Sequence, residues 1–263
     1  MSPLPKKSLG QNFLIDENIT NLITETGEID ENVPVIEVGP GKGSLTKKIL
    51  EKNPKDFTVI EKDERLIYFL QEKFGSKIKI INKDMMNVEY NDHLKKNMVI
   101  FGNLPYNIST QILVKWIKIQ NLDIFCKKLI LMFQKEVADR IIAESNTKNY
   151  GRLSILSNWR MEIKKITDIE PKSFDPVPKV RSTLLTFVPK KDFFQLNDPK
   201  NLEHITNIFF NQRRKMIKKP MKFLFGNFEE VSQELSIDLK LRPQNLNNLT
   251  YYKICKYYEN LIN

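Results

Sequence analysis

"VIEVGPGKGSLT", residues 35–46, decides the fold. A short run rich in Ile and Val leads straight into glycines at 39, 41 and 43, and a helical pattern follows. Glycines between a strand and a helix let the chain turn sharply and let a ligand lie against bare backbone. The spacing is G-x-G-x-G, whereas the dinucleotide fingerprint G-x-G-x-x-G needs its third glycine one position later. Taken alone, the loop reads either as a ligand cradle or as a tight strand-to-helix turn.

The same alternation repeats outward from it. "PVIEV" (34–38) precedes helical spacing over 43–53, and "FTVIE" (57–61) precedes it over 63–74. "KIKII" (77–81) follows, then "NMVIF" (97–101) before a helix over 108–119, and "KLILMF" (128–133) before one over 134–144. Strands apolar at consecutive positions, taking turns with helices, predict a mostly parallel sheet covered on both faces. After Tyr150 come a helix-like "GRLSILSNW", a β-prone stretch over Met161–Ile169, the proline-bracketed "EPKSFDPVPKV" (170–180) and a last strand "RSTLLTFV" (181–188). The two β segments are expected to close the sheet as a hairpin, ending it with an antiparallel strand. Beyond Pro189-Lys190-Lys191-Asp192 only helices are predicted, over 199–211, 212–225, 228–235 and 245–261. The expected division is a sheet domain over 1–190 and a small all-α domain over 191–263.

Composition excludes several classes of function. No apolar run approaches the roughly 18 residues that a membrane-spanning helix requires. The N-terminal "MSPLPKKSLGQNF" lacks the apolar middle of a secretory signal, so a cytoplasmic address is expected. Cys126 and Cys255 stand alone, without ligand-spaced neighbours, so neither a disulfide framework nor a zinc site is indicated. His93 and His204 sit in unrelated surroundings, a poor basis for triad or histidine acid-base chemistry. The 42 Lys and Arg against 32 Asp and Glu leave a net charge of +10. That excess suits a polyanionic partner if it is clustered, and a solvated surface if it is not.

Glu61 ends the second strand and Asp84 follows the third, so glycines and two carboxylates line one edge of the sheet. An acidic side chain about twenty residues beyond a glycine loop can take both hydroxyls of a ribose, although Glu61 alone could be a solvated charge. With no lysine read opposite them, the two carboxylates suit a nucleoside better than a pyrophosphate.

In this frame the motifs "GQNFL" (10–14), "FGNLPYNIST" (101–110), "LMFQKEVADRI" (131–141), "YGRLSIL" (150–156), "SFDPVPKV" (173–180) and "FNQRRK" (210–215) resemble those of the ribosomal RNA adenine dimethyltransferases, in the family's order. The resemblance implies a Rossmann-like class I methyltransferase sheet with a helical RNA-binding domain. It also implies S-adenosylmethionine as donor and two adjacent adenosines near the 3′ end of small-subunit (16S) rRNA, in an assembly intermediate, as substrate. A monomer without a metal is expected. By the same resemblance, Gln11, Asn12 and Leu14 line the methionine and adenosine ends of the donor, and Gly39 and Gly41 its methionine part. Glu61 holds the ribose, Asp84 receives the adenine amine, and Asn103 borders donor and acceptor alike. Without the other motifs, Gln11 and Asn12 would read as a polar turn before a helix starting near Asp16.

The exocyclic amine of adenine shares its lone pair with the ring, so it needs acceptors that draw its N–H groups out of plane. Asn103 offers an uncharged carbonyl, the backbone C=O of Leu104 a second, Pro105 fixes the chain angle, and Tyr106 gives a face for a flipped base. Without that frame, N-x-P-Y is an ordinary turn. Phe174, stiffened by nearby prolines, reads either as a second plate over the base or as a core anchor. "NQRRKMIKKPMK" (211–222) holds six basic and no acidic side chains. Arg213, Arg214, Lys215, Lys218, Lys219 and Lys222, on a helix interrupted by Pro220, suit a phosphate backbone or form a solvated face. Lys6, Lys7, Lys179 and Arg181 could extend that track. In "LRPQNL" (241–246), Gln244 replaces the glutamate expected in the family, which puts a local ion pair with Arg242 in doubt. Three rival readings stand beside this one: a large-subunit rRNA methyltransferase of the resistance type, which shares the "QNF", glycine and N-x-P-Y motifs; a noncatalytic ribosome-assembly or transcription factor on the same fold; and a DNA adenine methyltransferase, which would normally carry a distinct target-recognition region.

Overall fold

The first long strand of the chain lies inside the sheet, paired on both sides. The computed structural model describes residues 3–6, 9–88 and 95–262; Lys7 and His93 lie outside them. Strand β1 (Phe13–Leu14) and helix α1 (Glu17–Gly27) come first, the helix capped by Asp16, whose Oδ1 accepts from the N–H groups of Asn18 (3.0 Å) and Ile19 (3.3 Å). Strand β2 (Pro34–Val38) is buried at all five positions, with its proline in the first place, where no ladder N–H is lost. Helix α2 (Ser44–Leu50), strand β3 (Asp56–Glu61), helix α3 (Glu64–Phe74) and strand β4 (Lys79–Asn82) follow, then β5 (Met98–Gly102), α4 (Ser109–Ile117), the single turn α5 (Leu122–Phe125) and β6 (Cys126–Gln134).

Strand β2 pairs in parallel with β3 on one side, Val38 opposite Ile60, and with β5 on the other, Val38 opposite Gly102. Beyond β6 lies β9 (Ser182–Pro189), antiparallel to it with Leu131 opposite Leu185, and then β7 (Met161–Ile169). The order β4-β3-β2-β5-β6-β9-β7 confirms the α/β expectation and the neighbouring placement of the last two strands. The chain leaves β2 toward β3 on one side and the neighbouring β5 toward β6 on the other, so the C-terminal ends of β2 and β5 form a switch point, where open α/β sheets leave a crevice for ligands. Val59, Val99, Phe101, Ile49 and Leu70 are fully buried around the sheet, each contributing about 1.5–3 kcal/mol relative to exposure.

Two compact units emerge. The sheet unit is Met1–Ala138 with Glu162–Pro189; the helical unit is Asp139–Met161 with Lys190–Asn263. The helical unit thus takes in α7 (Arg152–Arg160), which the division at residue 190 assigns to the sheet domain. Helix α6 (Lys135–Ile141) runs across the first junction. Within the helical unit, α8 (Pro199–Phe210) and α11 (Asn248–Ile262) pack with α7 and with each other, burying Ile155, Ile205, Phe209 and Tyr251, while α9 (Lys218–Leu224) packs with α10 (Phe228–Glu234). The Tyr252 hydroxyl donates to the Ile155 carbonyl (3.0 Å). Buried Glu259 accepts from the N–H groups of Asn197 (2.7 Å) and Asp198 (2.9 Å), closing the start of α8. Pro220 does not interrupt a helix: residues 211–217 are turn, and Pro220 lies in the first turn of α9, where N–H groups have no intrahelical partner.

Candidate active site

The glycine loop leaves β2 in left-handed conformations, with φ of +70° at Gly39 and +58° at Gly41. A Cβ on Gly39 would meet the Asn103 carbonyl oxygen at 3.2 Å, and one on Gly41 the Phe13 ring at 2.7 Å. Both positions therefore require glycine for conformation and for close approach. Over this loop lies a cleft of about 710 Å³ within the sheet unit. Its floor is the switch point, with Val38, Ile60 and Leu104 as apolar surface; Gly39, Gly41, Glu61, Asp84, Asn103 and Tyr106 come to its wall, as do Gln11, Asn12 and Pro105.

Glu61 is 8% exposed, and its Oε1 accepts from the N–H groups of Lys62 and Asp63, both at 2.9 Å. Burial pushes its carboxyl above the ordinary range, and these N–H donors oppose that. Asp84 caps the turn at Met85–Asn87 through the Met86 N–H (2.9 Å), and its Oδ2 lies 3.3 Å from Lys62 Nζ. A lysine does face this carboxylate, a correction to the sequence reading. Lys83 also reaches the cleft.

Asn103 lies just beyond β5, and its Nδ2 donates to the Asn12 carbonyl (3.1 Å). That bond fixes which way the amide points and leaves Oδ1 without a partner among the described residues. Tyr106 is mostly buried, and its hydroxyl shares a 2.5 Å hydrogen bond with Ser182 Oγ on β9. The ring is thus held by a strand that the sequence gives no reason to associate with it.

Two expected placements change, those of Leu14 and Phe174. The Leu14 side chain is buried in the core, away from the main cleft, and borders instead an adjoining cavity of about 300 Å³ with Phe13, Glu37 and Gly39. Gln11 reaches the cleft with its amide already committed: Oε1 accepts from the Lys6 N–H (2.7 Å) and Nε2 donates to Asp63 Oδ2 (3.0 Å). Phe174 is 1% exposed and belongs to the core rather than to a plate over the cleft. The reason is β8 (Phe174–Asp175), which pairs antiparallel with β1, Leu14 opposite Phe174. The Ile15 N–H donates to the Ser173 carbonyl (2.9 Å) and Ser173 Oγ to Asp16 (2.9 Å), turning the ring inward.

Two acidic residues escaped the sequence reading. Asp63 anchors Gln11 while Arg65 binds it at Oδ1 (3.0 Å) and Oδ2 (2.7 Å); the guanidinium holds its carboxyl down at about 2. Its signal was its place two residues past Glu61, ahead of a helical run, where it caps α3. Glu37, next to the last residue of β2, is 2% exposed; its Oε2 accepts from Thr46 Oγ1 (2.7 Å), and burial, with Glu61 nearby, pushes its carboxyl up to about 8. A charge within an apolar strand was its signal.

In the helical unit the basic side chains divide. Arg213 is structural: Nε donates to Gln244 Oε1 (3.1 Å) and Nη2 to the carbonyls of Thr147 (3.3 Å) and Lys148. Gln244 therefore serves Arg213 as a neutral acceptor. Lys218 lies 4.0 Å from Glu229 and over the Phe228 ring. Arg214, Lys215, Lys219 and Lys222 are exposed, with no ion pair among the described residues. In the sheet unit Arg181 pairs with Glu170 (3.0 Å). Among the described residues no helix is long and apolar enough to cross a membrane, and no three His, Cys, Asp or Glu side chains are grouped to hold a metal.

A mostly parallel sheet with a glycine loop, an acidic strand end and an N-x-P-Y turn around one cleft defines a Rossmann-like methyltransferase. Solved structures share the fold: a dimethyladenosine transferase from Plasmodium falciparum (TM-score 0.77, 24% identity, covering 92% of this chain and 95% of that one) and the 23S rRNA methyltransferase ErmE (TM-score 0.70, 22% identity, 95% and 100%). The model of the family "Ribosomal RNA adenine dimethylase" matches residues 4–260, and the chain belongs to that family. It is 55% identical over 256 residues, 97% of each chain, to the ribosomal RNA small subunit methyltransferase A of Pelagibacter ubique (strain HTCC1062). To the protein of that name from Ehrlichia ruminantium (strain Gardel) it is 42% identical, over 92% of each chain.

Proposed function

We propose that the protein dimethylates the exocyclic amines of two adjacent adenosines near the 3′ end of small-subunit rRNA, using S-adenosylmethionine, in the cytoplasm. The observation that carries this is the Asn103 amide, pinned through Nδ2 so that an uncharged acceptor is left at the cleft. Family membership and the small-subunit relatives favour this substrate over large-subunit rRNA or DNA.

The cleft fits the donor. Gly39 and Gly41 admit the methionine part against bare backbone, and the Glu61 carboxylate keeps acceptor capacity for ribose hydroxyls. Asp84 stands where an adenine amine can donate, and Val38, Ile60, Met85 and Ile112 offer apolar surface to a purine. Bound S-adenosylmethionine supplies a methyl already activated on a sulfonium, so the chain's task is alignment. Asn103 Oδ1 and the Leu104 carbonyl accept the two N–H groups of the target amine, which frees its lone pair for attack. Tyr106 offers a face to the extruded base, and the displaced proton passes to water. After the first transfer one N–H remains, and either acceptor can hold it for the second. Arg214, Lys215, Lys219 and Lys222 are offered to RNA phosphates.

The test uses labelled donor with small subunits, large subunits and DNA in separate reactions, followed by nucleoside digestion. Label recovered as dimethyladenosine from small subunits alone is expected; label in large subunits or DNA overturns the substrate, and no transfer overturns the enzyme.

A further inference from the structure

Helix α9 presents an aromatic ring to solvent just past its cations. Phe223 is 73% exposed, and Met216 nearby is 58% exposed. Helical spacing sets Phe223 one turn from Lys219 on the same face, with Lys222 the residue before it in the chain, while Pro220 and Met221 are buried. The Phe223 ring has no aromatic or cation contact among the described residues. Phe225, two residues on, is buried and packs edge-on against Tyr257 at 5.7 Å between ring centroids. Two phenylalanines from one short segment therefore go to opposite environments. Glu229 is paired with Lys218, and Lys219 and Lys222, on the same short helix as the ring, form no ion pair among the described residues.

An apolar protein partner would cover the ring and gain nothing from unpaired cations beside it. A nucleotide outside a duplex satisfies both: its base has a flat face for the ring, and its phosphates lie within a lysine's reach. We propose that Phe223 is a stacking platform for an unpaired nucleotide of the RNA substrate, with Lys219 and Lys222 taking the flanking phosphates. This rests on the reading of the chain as an rRNA enzyme. It adds a base contact, made by a residue that the sequence reading passed over, to what is otherwise a purely electrostatic face. Because every base has such a face, the contact selects unpaired RNA over duplex rather than one sequence over another.

The test measures dissociation constants of the full-length protein for a mixed-sequence single-stranded RNA of about 12 nucleotides and for a duplex of the same length. Phe223→Ala is expected to weaken the single strand roughly tenfold and leave the duplex unchanged. Phe223→Trp should restore the affinity, and the salt slope should stay constant because no charge is lost. Equal losses on both RNAs, or no loss on either, overturn the stacking site. If the wild type binds neither RNA, the rRNA reading falls as well; if it binds both and Phe223→Ala is indistinguishable from it, the stacking site alone falls.

Discussion

Asn103 is defined more narrowly in the structure than any motif could define it, because one bond through Nδ2 decides which amide atom remains for chemistry. Replacing it with Ala should lower methyl transfer at saturating donor by roughly 10²-fold or more, the scale of losing one preorganised polar contact. Single-turnover rates near those of the wild type would remove it from the mechanism. At Tyr106, the Phe variant loses only the hydrogen bond to Ser182 and the Ala variant loses the ring, so turnover should fall much further for Ala. Equal losses would assign the role to the hydroxyl. Phe174 belongs to the core of the sheet unit. As a core side chain, its change to Ala should cost about 3–5 kcal/mol in denaturant unfolding. A variant of unchanged stability but impaired transfer would return it to the cleft. The sequence left Phe174 open because its direction is set by pairing with β1, some 160 residues away in the chain, and a proline-rich segment carries no period that reveals such a pairing.

Among the elements, strands with consecutive Ile and Val and the helices between them were legible, since burial on both faces leaves a mark in every residue. β1 and β8 were not, being two residues long. α9 starts later than its charge pattern suggests because residues 211–217 turn to place Arg213 against Gln244. Within β2, Glu37 makes a prediction about pH. Its folded value is raised from 4.5 to about 8, so the folded state holds a proton that the unfolded chain has released. The contribution is present in full below about pH 4.5 and is lost as pH rises toward about 8, with a slope approaching 1.4 kcal/mol per unit. Glu37→Gln, which keeps an acceptor for Thr46, should flatten the stability curve in that window; parallel curves for the two proteins would show Glu37 ionised at no cost.

For the whole molecule, clustered charge is more informative than the net +10. Arg213 is occupied by carbonyls and Gln244, so Arg213→Ala should mainly destabilise the helical unit. Lys219→Ala or Lys222→Ala should leave the melting temperature alone and lower the slope of log affinity against log salt by about one each. An unchanged slope would leave these lysines as ordinary solvated charge. The helical unit is also assembled from two separate stretches, with Ile155 and Trp159 of α7 buried in it alongside segments from beyond Pro189. A single cut after Pro189 would not release a clean catalytic fragment. It would leave α7 on the fragment with its greasy side bare, prone to clump, so swapping this appendage between related enzymes requires two splice points instead of one.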